Sequence, residues 1–128
     1  MNRVFLGLAV ALAPVLATTL PTAASAHHSA AAFDFSKPQV ATAVVKSFEV
    51  INPHSHLVVT MTDKSGTHEV SFEGHSASNF YRAGYTRGSV NVGDKISITY
   101  APRRDGQPGG FLTGFTTKAG KRVGFGPA

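Results

Sequence analysis

The sequence predicts a mainly β chain with one short helix, and three observations carry that expectation. Two runs rich in β-branched and apolar residues, Val44 to Ile51 and Leu57 to Met61, flank a break at Asn52-Pro53. Two later segments, His68 to Glu73 and Ile96 to Tyr100, alternate with the period of two that a half-buried strand requires. Ser76 to Tyr85 lacks that alternation and lies between serines that can cap a helix and Gly84, which can end one.

The chain has 128 residues and opens on a segment outside this pattern. Met1-Asn2-Arg3 is positively charged, Val4 to Leu20 is almost wholly apolar, and Ala24-Ser25-Ala26 has small residues at the −3 and −1 positions. Those are the three regions of a secretory signal peptide, so residues 1–26 are expected to be removed and the mature protein to be periplasmic or secreted. A membrane anchor is the competing reading. Pro14 and Pro21 interrupt the run and no basic stop-transfer flank follows it, which favours a leader and leaves no stable span in the mature chain. About 100 residues then remain, enough for one modest core.

Cysteine is absent, which excludes disulfides, thiolate metal sites and thiol nucleophiles. The formal charge is +5, but basic residues occur at most in pairs, Arg103-Arg104 and Lys121-Arg122. That balance favours acidic surfaces in general and gives no dense nucleic-acid tract.

Residues 27–39 form an N-terminal arm in which Phe33 and Phe35 can tuck against the domain, residues 40–128. Val40 to Ile51 reads as a long first strand with Val44, Phe48 and Val50 on one parity. Lys46 sits among them and Val45 and Ile51 fall on the other parity, so a bulge is expected. Asn-Pro initiates a turn because proline fixes its own φ and drives the preceding residue out of the helical region. Leu57, Val59 and Met61 share one face of strand two, and Asp63 to Thr67 is a hairpin loop. His68 to Glu73 is strand three, and the short helix follows it. Ile96, Ile98 and Tyr100 mark strand four. After the polar loop Pro102 to Gly110, strand five runs from Phe111 to Thr117, and Arg122 to Phe125 can add a short closing strand. Three strands, a helix and two strands is the order of a small OB-like five-stranded barrel with its helix between strands three and four. An immunoglobulin-like sandwich is the runner-up, but it wants more strands and no helix.

Several motifs then occur in order: a mature start at His27-His28-Ser29, the Asn52-Pro53-His54 corner, Arg82-Ala83-Gly84-Tyr85-Thr86-Arg87, and the Val92-Gly93-Asp94-Lys95 turn. This set resembles a family of small exported bacterial proteins of unknown function. The resemblance covers nearly the whole mature chain. It implies an exported β-rich domain and no particular activity. The position of His56 is commonly aromatic there, so the resemblance supports His54 ahead of His56.

Histidine chemistry supplies the first candidate site. Cleavage after Ala26 would make His27 the terminus, able to offer its α-amine and its ring nitrogen to copper or zinc, with copper favoured by affinity order. Cleavage one residue earlier would put His28 third, the spacing of a square-planar copper site. His54 and His56, two residues apart, would face the same way on a strand. His68 and His75 read as structural or surface residues. Arg82, Tyr85 and Arg87 form a second candidate, a basic-aromatic patch for an anionic ligand or an envelope component. No nucleophile elbow and no phosphate loop occurs, so no catalytic constellation is recognised. The leading reading is a non-enzymatic exported binding module that takes copper or zinc through His27, His28, His54 and His56. The alternative is a metal-free accessory domain for an envelope protein or anionic glycan.

Overall fold

The computed structural model describes residues 30–126. The expected leader and the candidate ligands His27 and His28 lie outside these residues. Strands β1 (Gln39–Glu49), β2 (His56–Asp63) and β3 (Gly66–Gly74) form an antiparallel meander. Helix α1 (Ala77–Arg82) follows, then β4 (Lys95–Pro102), β5 (Gly110–Thr116) and the short β6 (Arg122–Gly124). β1 also pairs with β4, β4 with β5, and β5 with β6, all antiparallel. A parallel pairing of β3 with β5, from Phe72 opposite Gly110 to Gly74 opposite Leu112, closes five strands into a mixed barrel. The expected class, strand order and helix position all hold.

Closure brings backbones into contact, and Gly109 and Gly110 permit it. A Cβ on Gly109 would run into the Ser71 carbonyl and one on Gly110 into the Ala101 carbonyl. Gly109 also has φ +97°, a conformation that side-chain-bearing residues rarely adopt.

The bulge in β1 is present, and it changes which residues face inward. The pairing with β2 shifts register between Val45 and Ser47. Ala43 and Val45 point inward before the shift, and Phe48 and Val50 pack on the core after it. Val44, expected on the face of Phe48 and Val50, is instead exposed. The extra residue at the bulge switches the parity of the buried face.

The core joins Val45, Leu57, Val59, Phe72, Ile98, Leu112, Phe115 and Val123 from the strands with Phe80 from α1. Phe48 lies edge-on to Phe80, Tyr85 and Phe115 at 6.0, 5.7 and 5.4 Å. Full burial of each such side chain contributes about 1.5–3 kcal/mol. Phe33 buries the arm against the barrel: it bridges to Arg103, while Asp34 N donates to Pro102 O at 2.8 Å and Arg104 N to Ala32 O at 2.9 Å. Phe35 stays about half exposed.

Candidate functional site

The corner between β1 and β2 is built by backbone bonds to the chain around α1. A helix leaves its first N–H groups without internal partners, and here each of the first three finds one. Ala77 N donates to Ile51 O at 2.8 Å, Ser78 N to the Asn52 side-chain oxygen at 3.3 Å, and Asn79 N to Ser76 Oγ at 3.2 Å. Ser55, wholly buried, donates its N–H to His75 O at 3.1 Å and accepts from Gly74 N at 2.7 Å. The Asn52–Pro53 peptide is cis. Asn52 and Ser55 thus fasten the corner to the end of β3 and the start of α1, with His54 between the two fastenings.

His54 Nδ1 lies 3.3 Å from Glu73 Oε1 and 3.4 Å from Gly74 O. The side chains of His54 and Glu73 are 35% and 27% exposed. β2 begins at His56, so His54 precedes the strand and strand parity does not set its direction. His56 is exposed and stands opposite Glu73 in the β2–β3 ladder, so Glu73 neighbours both histidines. Phe33 of the arm, His56, Glu73 and Arg103 border one cleft of about 300 Å³.

Phe111, near the start of β5, gathers the surrounding elements. Its ring centre is 5.6 Å from Phe33, 5.4 Å from Phe35, 6.3 Å from His54 and 5.1 Å from His75. The arm and the histidine corner therefore pack on one side chain. His75, expected to be a structural or surface residue, is half-buried among Phe80, Phe111 and Phe125. Burial first, and the neighbouring His54 second, push its pKa below the ordinary 6.5. His68 is exposed at the hairpin end of β3, with Nε2 2.8 Å from Ser65 Oγ and 3.5 Å from Asp63 Oδ1. Among the described residues, no group of three or more His, Cys, Asp or Glu is arranged to hold a metal ion. His54 and His56 would need donors from beyond these residues.

Of the second candidate set, Arg82 and Arg87 are exposed and Tyr85 is not. Tyr85 is buried in the core, and burial pushes its hydroxyl pKa above the ordinary 10.0. The cause is the way α1 ends. Gly84, at φ +98°, donates to Tyr81 O, and Tyr85 N donates to Phe80 O, the paired bonds of a Schellman motif. That turn folds Tyr85 back toward the core against Phe48 and Phe115. Arg82 bonds within its own helix, to Asn79 Oδ1 at 2.6 Å and Ser78 O at 3.4 Å, and Arg87 is exposed.

Sequence reasoning missed Glu73 and Phe111. Pairing β2 with β3 through the Asp63–Gly66 turn would have put Glu73 across from His56. No local signal marks Phe111 as the residue shared by arm and corner.

These features define a small closed β-barrel whose histidine-bearing corner caps its helix and adjoins a docked N-terminal arm. The chain belongs to the family of unknown function DUF6152, whose model matches residues 15–113, from before the arm to within β5. No curated protein and no solved structure matches it. Among the described residues no helix is long and apolar enough to cross a membrane.

Proposed function

We propose that this protein is an exported binding module that takes a copper or zinc ion where its N-terminal arm meets the Asn52-Pro53-His54 corner. The observation that carries the reading is the shared packing of Phe33 and His54 on Phe111. It brings the root of the arm to the corner. Phe33 N donates to Ala30 O at 3.3 Å, so the chain turns back at the root of the arm, and His28 lies two positions before Ala30, a step of at most about 7 Å. His27 and His28 would approach the corner from that root. A processed terminus would supply an amine and one or two imidazoles, and His54 a further imidazole. His56, beside the same cleft, is an optional contributor. Nitrogen donors of this kind hold Cu(II) more tightly than Zn(II).

Calorimetric titration of the processed protein with Cu(II) and Zn(II) tests the proposal. The expected result is one ion per chain, with Cu(II) the tighter. His54→Ala should weaken binding by at least the roughly 10-fold that loss of an outer-sphere partner costs, while the domain stays folded. One residue added before His27 should also weaken it by blocking the terminal chelate. Unchanged affinity in both variants would exclude a joint site. Absence of stoichiometric binding would overturn the metal reading in favour of a metal-free domain for an envelope protein or anionic glycan.

A further inference from the structure

We propose that Glu73 is a positioning residue for His54: its carboxylate holds the proton on Nδ1 and leaves Nε2 as the donor atom. The metal-binding consequence rests on the function proposed above, but the tautomer does not.

His54 Nδ1 has two neighbouring acceptors, Glu73 Oε1 at 3.3 Å and Gly74 O at 3.4 Å. Neither an ionised carboxylate nor a carbonyl can donate, so a bond to either requires the proton to be on Nδ1. In neutral imidazole that leaves the lone pair on Nε2, the form in which histidine binds a metal. Gly74 O stands in hydrogen-bond geometry to Nδ1 at 3.4 Å, and the Glu73 carboxylate, with Oε1 at ion-pair distance, 3.3 Å, adds a charge that favours the proton on the same nitrogen.

The backbone makes the contact a built one. Ser55, next to His54, is bonded on both sides to the residues that follow Glu73: Gly74 N donates to Ser55 O at 2.7 Å, and Ser55 N to His75 O at 3.1 Å. Those bonds fix the distance between the two chains that carry the imidazole and the carboxylate. Phe111, with its ring centre 6.3 Å from that of His54, limits ring rotation from another side. Both side chains are about a third exposed or less, so solvent screens the contact only in part. A carboxylate that orients a ligating histidine in this way raises its strength as a donor.

Long-range proton–nitrogen NMR of the metal-free, ¹⁵N-histidine-labelled processed protein reads the tautomer directly. His54 should show a protonated Nδ1 and a bare Nε2. Glu73→Ala leaves only the longer Gly74 contact, so it should give a mixture of tautomers. Glu73→Gln keeps an acceptor oxygen and should restore the Nδ1–H form in part. In parallel, Glu73→Ala should weaken Zn(II) and Cu(II) binding by about 10- to 100-fold without moving the thermal midpoint enough to unfold the domain. A predominantly Nε2–H tautomer in the unaltered protein overturns the inference, even should Glu73→Ala fail to fold. So does an unchanged tautomer in Glu73→Ala. A wild-type protein that shows the Nδ1–H form but binds no metal supports the role of Glu73 and defeats only the metal-binding function.

Discussion

Asp94 shows how one residue ties two distant turns together. It lies before β4 and is almost wholly buried. Lys118, after β5, places its Nζ 2.9 Å from Oδ1, and Asn91 N donates to Oδ2 at 2.9 Å. The lysine bond first, and the backbone bond second, hold the carboxyl below its ordinary 3.8. A carboxyl depressed in the folded state stabilises the fold above its unfolded value, and that contribution disappears as pH falls through the folded value. Stability is therefore expected to drop below about pH 4, in part through Asp94. Asp94→Asn should lower the thermal midpoint by a few degrees at pH 7 and flatten its fall toward pH 3. Melts followed by circular dichroism at both pH values check this; equal acid sensitivity in the two proteins would remove Asp94 from the account. The turn at Gly93-Asp94 was legible in the sequence. Its lysine partner was not, because Lys118 belongs to a separate turn.

At the level of elements, α1 depends on the corner. A helix of six residues is far too short to persist alone. It is held by Phe80 in the core and by partners for its leading N–H groups, two of which come from Ile51 and Asn52. Ser76→Ala and Asn52→Ala should each cost about 1 kcal/mol in chemical denaturation, the usual effect of a lost cap. The two variants should differ at the site. Asn52→Ala loosens the corner that carries His54 and should weaken metal binding, whereas Ser76→Ala should leave it near the wild-type value. The Asn-Pro break and the serine and glycine at the helix ends were readable because each acts over three or four residues. That the break caps the helix was not, since strands β2 and β3 separate the two in the chain.

At the scale of the whole molecule, the fold must be held without disulfides, since the chain has no cysteine. A closed barrel with a continuous aromatic and aliphatic core meets that need, and the parallel β3–β5 pairing leaves neither of those strands open at that point. The export proposed for this protein makes a plain prediction. Intact-mass measurement of protein recovered from the periplasm or medium should give a chain beginning at His27. A membrane-retained chain that keeps Met1 to Ala26 would contradict both the export and the terminal chelate that depends on it.

The sequence by itself determined the mainly β class, the strand–helix order, the existence of a bulge in β1, and the corner on which His54 sits. Each follows from forces acting between near neighbours: alternation of β-branched residues, the fixed φ of proline, the caps of a short helix. Only the tertiary structure decided which face of β1 is buried, that Tyr85 belongs to the core, that Phe111 joins arm to corner, and that Glu73 meets His54. For Tyr85 the local turn at Gly84 sets the direction, and the partners Phe48 and Phe115 come from the barrel; the other outcomes depend on strand register and barrel closure, which bring together side chains far apart in the chain.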